Sequence, residues 1–288
     1  MENVDILIVG GGAAGIAAAK AAHAAGSRSI LIAEHKAALG GILLQCAHRG
    51  FGDGKDGPQY VSELLEDFPK GVELALETAV LSVSQKKIAL LSGRAYGERE
   101  VSFSQLILAE GCRETPLGAL PIAGTRPAGV YTAGQMQELM NIYGRIPEGP
   151  VVILGSGDLG LVMAGHLLSA GIDTTIIEQK ESCGGMERNR QALKGLPLKL
   201  ILNSTILEIY GEKDIEGCII SDGSRIPCKT LLIATGLIPE RELVFGLEDS
   251  DWLEFCGNCN RVHPMVEGVV KEGKESGFNA FKRLYNRS

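Results

Sequence analysis

Two copies of one glycine-rich turn constrain what this chain can fold into. Gly10-Gly11-Gly12-Ala13-Ala14-Gly15 follows the apolar run Asp5–Val9, and Gly155-Ser156-Gly157-Asp158-Leu159-Gly160 follows Val151–Leu154. Each opens an Ala- or Leu-rich stretch that reads as a helix. Each also has an acid downstream, Glu34 at 24 positions after Gly10 and Glu178 at 23 positions after Gly155. In a strand–turn–helix of this kind the first glycine permits the tight turn, the second lets backbone approach a pyrophosphate, and the third lets helix and strand pack closely. The helix N-terminus then offers N–H groups and a positive dipole end to the phosphates. A carboxylate after the next strand accepts hydrogen bonds from a ribose diol and repels a 2′-phosphate. Glu178 therefore favours NAD(H) over NADP(H), with Lys180 acting in the opposite sense. Gly10, Gly12, Ala13, Ala14, Gly15 and Glu34 form one candidate dinucleotide site; Gly155, Gly157, Asp158, Leu159, Gly160 and Glu178 form the other.

The two halves repeat one plan. After Glu34 come a glycine-rich loop, a helical run around Tyr60–Leu65, short strands at Glu73–Leu81, Lys87–Leu91 and Glu100–Ser102, and a buried strand Leu106–Ala109 that ends near Gly111. The second half offers a helix Leu159–Ala170, a strand Asp173–Glu178, short strands Lys199–Leu202, Ile206–Tyr210 and Gly217–Ser221, and an apolar strand closing on Thr235-Gly236. This predicts a duplicated α/β fold, each copy carrying a small β-meander.

Composition removes several functions. A length of 288 residues suits two modest domains, and a formal net charge of −7 with no basic block disfavours nucleic acid or an anionic membrane as partner. The apolar stretch Ile6–Gly26 contains Lys20, His23 and a glycine triplet and has no basic segment ahead of it, which excludes a membrane span or a secretory signal. The seven cysteines are odd in number and scattered, as in the reduced thiols of a cytoplasmic protein. Cys256 and Cys259 have C-x-x-C spacing, but no second Cys or His pair accompanies them, so no metal is expected. Cys46, Cys256 and Cys259 are the candidate redox thiols, weighed against small packed side chains. His48, two residues after Cys46, is a candidate proton-transfer group weighed against a solvated loop histidine, and His263 reads as a helix-entry residue before Pro264.

Further runs carry a resemblance: Gly40-Gly41-Ile42, Gly111-Cys112-Arg113-Glu114, Gly124 to Gly134, Gly236-Leu237-Ile238-Pro239-Glu240, and a terminal Cys256-Gly257-Asn258 before an apparent helix. Together with the two turns they resemble the two-domain flavoproteins of the pyridine-nucleotide-disulfide oxidoreductase superfamily, in particular subunits associated with glycerol-3-phosphate, opine, proline and hydrogen-cyanide-producing dehydrogenases. The resemblance implies two Rossmann-like three-layer domains, the second inserted in the first: an FAD domain of residues 1–122 and 240–288 with a shortened C-terminal part, and an NAD(P) domain of residues 123–239. It places FAD on the first turn with Glu34, Gly40, Gly41, Gly111, Gly257 and Asn258, and the nicotinamide nucleotide on the second turn with Glu178 and Gly236. It implies hydride transfer between NAD(P)H and flavin and electron exchange with a partner dehydrogenase or oxidase subunit or a small-molecule acceptor. Two alternatives stand beside it: a regulatory or electron-transfer subunit with ATP or no hydride donor in the second site, and a thiol-disulfide reductase using Cys46 or Cys256/Cys259. The chain departs from the superfamily at Asn258, where an Asp is usual, and at Glu110, where a Thr is common.

Overall fold

The computed structural model describes residues 2–285; Met1 and residues 286–288, which fall inside the expected first domain, lie outside the described residues. The chain divides into two compact units, one made of residues up to Arg113 and from Ile238 on, the other of Glu114–Leu237. Residues 114–122, expected in the first domain, pack with the second unit. The Glu114 carboxylate accepts hydrogen bonds from Gly134 N at 2.8 and 2.9 Å, and Leu117, Leu120 and Ile122 join that unit's core.

In the first unit β1 (Glu2–Val9) leads through the first glycine turn into α1 (Ala13–Ala25) and β2 (Ile30–Ala33). A helix α2 (Gly57–Leu65) follows, begun by Asp56, whose side chain accepts from Gln59 N at 2.9 Å, and then β3 (Val72–Ala75), β4 (Thr78–Val83), β5 (Ile88–Gly93) and β6 (Gly97–Leu108). The sheet order is β3-β2-β1-β6-β5-β4, parallel from β3 to β6 and antiparallel from β6 to β4.

Three of the expected strands differ in the structure. Glu73–Leu81 is two strands, because the chain turns at Glu77 with φ 47° between β3, parallel to β2, and β4, antiparallel to β5. Glu100–Ser102 and Leu106–Ala109 are parts of one strand, β6, which pairs with β5 along its first half and with β1 along most of its length.

Strand β7 (Cys112–Glu114) carries the chain out of this unit. The second unit contains β8 (Ala123–Gly124), β9 (Val130–Thr132), α3 (Ala133–Asn141), β10 (Val151–Leu154), α4 (Asp158–Ser169), β11 (Thr174–Ile177), α5 (Glu187–Ala192), β12 (Lys199–Ile201), β13 (Ile206–Tyr210), β14 (Gly217–Ile220), β15 (Arg225–Pro227) and β16 (Thr230–Ile233). Its parallel sheet runs β12-β11-β10-β16-β9, and β15-β14-β13-β8 form a separate four-stranded sheet. Here meander and core strand are separate, since Pro227 ends β15 before Thr230 begins β16. Strand β17 (Leu237–Pro239) leads back, β18 (Leu253–Phe255) adds beside β6, and the chain's last described element is α6 (Val266–Tyr285).

Alternation along each central strand builds three layers. In the first unit Ile6 and Ile8 pack with Ile16 and Ala18 of α1 and Ala280 of α6, while Leu7 and Val9 face Leu91, Phe103, Trp252 and Leu253. In the second, Val151 and Ile153 face α3 and α4, and Val152 and Leu154 face Ile209, Cys218 and Ile220 of the meander. Each fully buried Ile or Leu contributes about 1.5–3 kcal/mol, so the paired layers account for most of the drive to this fold. Helices α1 and α6 approach with backbone against backbone. A Cβ on Gly273 or Gly277 would overlap the carbonyl oxygens of Ala14 and Ala18, respectively.

Candidate functional site

Both turns form the expected strand–turn–helix, with matching geometry. Gly10 N donates to Ala33 O and Gly155 N to Ile177 O, each at 2.8 Å. Both first glycines need positive φ, 100° and 105°, and a Cβ on either would meet the carbonyl of the neighbouring parallel strand's end, Ala109 O or Ala234 O. Cβ atoms on Gly15 and Gly160 would overlap the carbonyls of Gly10 and Gly155, so the third glycine of each turn is fixed by close packing of helix on turn.

The acids are tied to the turns. Glu34, 2 % exposed, accepts from Gly11 N and from Lys36 N, both at 2.7 Å. Glu178 accepts from Ser156 N at 2.8 Å, Ser156 Oγ at 2.6 Å and Lys180 N at 2.9 Å. Burial works to raise the Glu178 carboxyl, but the hydrogen bonds from Ser156 and Lys180 and the Lys180 charge outweigh it and hold the group below the usual carboxylate range. Each carboxylate keeps lone-pair capacity for a ribose diol beyond these bonds.

The backbone leaves room for a dinucleotide at both places. Gly12 caps α1 with no side-chain hydrogen bond, and a Cβ there would meet only Gly41 Cα, at 3.9 Å; Gly41, at φ 56°, faces it in turn. Ala13 and Ala14 start the helix behind this side-chain-free cleft, a cradle that fits the pyrophosphate of FAD. Gly40 N donates to Gly11 O at 2.8 Å and fixes the cradle's far wall. Gly157 caps α4 in the same way, with open space where its Cβ would stand. Asp158 does not face that space alone: its Oδ1 accepts from Met186 N and Asn189 Nδ2, both at 2.6 Å, and so anchors the loop after Glu178. Leu159 is half-buried beside Gly160, and Gly236, at φ 141°, follows β16, where a Cβ would stand 3.7 Å from Thr115 Oγ1.

That anchored loop carries a signal that the spacing of the turns alone does not reveal. Gly184-Gly185 lies six residues after Glu178, as Gly40-Gly41 lies six after Glu34, with Lys at the second position after each acid. The repeat therefore extends through the loop; in the second copy Gly184 N donates to Ser156 Oγ at 2.7 Å, where the first copy uses a backbone carbonyl.

The terminal segment meets the first turn. Gly257, at φ 70°, packs against α1, where a Cβ would stand 2.7 Å from Ala14 Cβ. Glu272 of α6 holds the segment. Its Oε2 accepts from Gly257 N and pairs with His263 Nε2, both at 2.8 Å, and its Oε1 accepts from Asn260 Nδ2 at 2.7 Å. Burial works to raise this carboxyl, but the bonds from His263, Asn260 and Gly257 hold it below its usual range. Asn258 Oδ1 accepts from His263 N at 3.0 Å, so His263 is a brace for the segment as well as its entry into α6. Sequence reasoning missed Glu272, because a glutamate inside a polar helix face carries no local signal. Gly111, at φ 78°, lies where β6 ends, and its carbonyl accepts from Glu240 N at 3.0 Å.

The candidate thiols are all buried. Burial pushes Cys46 up to about 12, Cys259 up to about 11 and Cys256 well above its usual value. Cys259 Sγ donates to Leu108 O at 2.9 Å and to Cys256 O at 3.2 Å. The His48 ring lies 5.1 Å from that of Phe51. Among the described residues no cluster of His, Cys, Asp or Glu has metal-holding geometry, and no helix is long and apolar enough to cross a membrane.

Two turn-and-acid devices, one in each of two three-layer units, define the class of flavoproteins that bind two dinucleotides. The chain belongs to the pyridine nucleotide-disulphide oxidoreductase family, a family of FAD- and NAD(P)-binding oxidoreductases, which it matches over residues 4–255. Its curated relatives include an opine oxidase subunit from Agrobacterium tumefaciens, 28% identical over an alignment 278 residues long that covers 83% of this chain and 53% of the relative. Hydrogen cyanide synthase subunit HcnB of Pseudomonas protegens is also 28% identical, across 84% of this chain and 58% of its own length. The chain thus spans about half the length of these relatives. Among solved structures, Lactococcus lactis thioredoxin reductase superposes with a TM-score of 0.79 at 20% identity, covering 98% of this chain and 99% of its own. L-proline dehydrogenase from P. horikoshii gives 0.74 at 19% identity, over 98% of this chain and 56% of its own.

Proposed function

We propose that this chain moves electrons between NAD(H) and FAD, and exchanges them with a partner subunit of a dehydrogenase or oxidase or with a small-molecule acceptor, in the cytoplasm. The observation that carries the reading is the duplicated turn with its own buried acid, Glu34 in one unit and Glu178 in the other. FAD, when bound, supplies the two-electron redox chemistry. The residues bind and orient. Gly12 and Gly41 leave the cleft for the pyrophosphate, Ala13 and Ala14 present the helix N-terminus, and Glu34 accepts the ribose hydroxyls. Gly111, Gly257 and Asn258 border the same cofactor. In the second unit Gly155, Gly157 and Gly160 shape the nucleotide turn, Asp158 fixes the loop beside it, and the Glu178 carboxylate favours a free 2′-hydroxyl over a 2′-phosphate. Relatives that are named as subunits of an oxidase and a synthase support a partner subunit. The buried thiols favour packing roles for Cys46, Cys256 and Cys259 over disulfide chemistry.

Anaerobic titration of the flavin-loaded protein tests this. NADH is expected to bleach the flavin absorbance stoichiometrically and NADPH to do so at least about tenfold more weakly. Flavin that stays oxidised in excess NADH would sink the hydride reading and leave a second site that binds a nucleotide without electron transfer.

A further inference from the structure

Glu110 stands where the first unit changes direction. The chain winds outward from β1 to β2 and β3 on one side and reaches β6 on the other, so the carboxyl ends of β1 and β6 flank the switch point at which open α/β sheets take their ligands. Glu110 follows Ala109 at that end of β6, and its backbone N lies 3.2 Å from where a Cβ on Gly10 would stand. The residue is exposed.

The charges around it are lopsided. Arg113 is committed to Glu240 at 2.6 Å and Glu242 at 2.7 Å. Arg241 is turned onto the carbonyls of Cys259, at 2.6 Å, and Asn260. The Cys259 thiol is a further titratable neighbour, and among the described residues no cation pairs with Glu110. Desolvation by the surrounding chain, and then the charges of Glu240 and Glu242, push the Glu110 carboxyl up to about 7. A dinucleotide laid on the first turn adds two phosphate charges to this set. An ionised Glu110 would oppose them; the neutral acid offers an O–H donor instead.

We propose that Glu110 carries a proton when FAD occupies the first turn and donates its O–H to the cofactor's phosphate–ribityl stretch, so that FAD binding takes up a proton. This rests on the assignment of FAD to the first turn. By linkage, FAD affinity is level below the free carboxyl's titration and falls by about tenfold per pH unit above it.

The test is the FAD dissociation constant, followed by flavin fluorescence on the apoprotein from pH 6 to 8.5, with Trp252 fluorescence as the check on folding. The wild type is expected to bind about thirtyfold more weakly at pH 8.5 than at pH 6, with proton uptake seen by calorimetry in two buffers of different ionisation heat. Glu110→Gln keeps a donor without a titrating proton and is expected to vary less than about threefold across that range. Glu110→Ala is expected to give a profile as flat at weaker overall affinity. A wild type that binds with no pH dependence, or a Glu110→Gln profile as steep as the wild type's, overturns the role of Glu110. No FAD binding by folded wild type at any pH overturns the assignment of the first turn instead.

Discussion

Replacing Glu272 by Gln tests whether the α6 carboxylate is what holds the Gly257–His263 segment. Three donors converge on the acid, Gly257 N, Asn260 Nδ2 and the His263 ring, at 2.7–2.8 Å, and the side chain is only 15% exposed. An amide offers one oxygen and one NH₂, so at least one donor loses its acceptor and faces a donor instead. A lost hydrogen bond to a charged group costs about 1.5–3 kcal/mol. We expect Glu272→Gln to destabilise the first unit by about 2–3 kcal/mol and Glu272→Ala, which strands all three donors, by about 3–5 kcal/mol. Trp252 is the chain's single tryptophan, lies buried in the core of the same unit and packs at 5.4 Å on Phe103, so its fluorescence during urea unfolding reads this unit. The sign of the pH dependence follows from the shift. A carboxyl held below its usual value stabilises the fold above that value, and the contribution is lost as pH falls through the lowered one. The gap between wild type and Glu272→Gln is therefore expected to persist at pH 5.5 and to close only below the ordinary carboxylate range. A variant within about 0.5 kcal/mol of wild type at pH 7 would refute the reasoning.

Gly277→Ala gains about 1 kcal/mol of helix propensity, but its methyl group meets Ala18 O, and overpacking of about 2–4 kcal/mol wins; thermal unfolding that rises or stays level counts against backbone contact between α1 and α6. Ser156→Ala strips Glu178 of one donor and leaves Gly184 N without its acceptor, so NADH affinity should fall by about five- to tenfold with flavin content unchanged. Native-state alkylation read by peptide mass spectrometry should spare Cys46, Cys256 and Cys259 at pH 8 and reach the half-buried Cys112 and Cys183 first. Serine at each of the three buried positions should leave NADH-dependent turnover unchanged, and a loss of turnover without a loss of stability would reopen the thiol reading.

The sequence made the turns, the two acids and the core strands legible because each is a local device: a glycine that needs positive φ, an alternating or apolar run, an acid after the second strand. The long β6 reads as two strands because its first half faces an antiparallel neighbour and its second half the buried core, so the pattern changes character midway. The Glu73–Leu81 run hides a turn, since Glu77 at φ 47° lacks the glycine that would announce it. Glu114 and Glu272 escape for a different reason. Each acts across the chain, on Gly134 and on Gly257 respectively, and a hydrogen bond between distant residues leaves no spacing to read. The Gly184-Gly185 repeat is visible only when the two halves are laid against each other at the acids rather than at the turns.

The pairing of α1 with α6 sets an order of assembly during synthesis. The inserted unit is continuous from Glu114 to Leu237 and can close its own layers as soon as that stretch has left the ribosome. The first unit cannot. Its opening strand, turn and helix leave one face of α1 bare until residues 266–285 arrive, so this segment is made before the inserted unit yet completed after it. The cleft at Gly12, proposed to take FAD, shares that helix, and a ligand present early would find it on an unfinished wall.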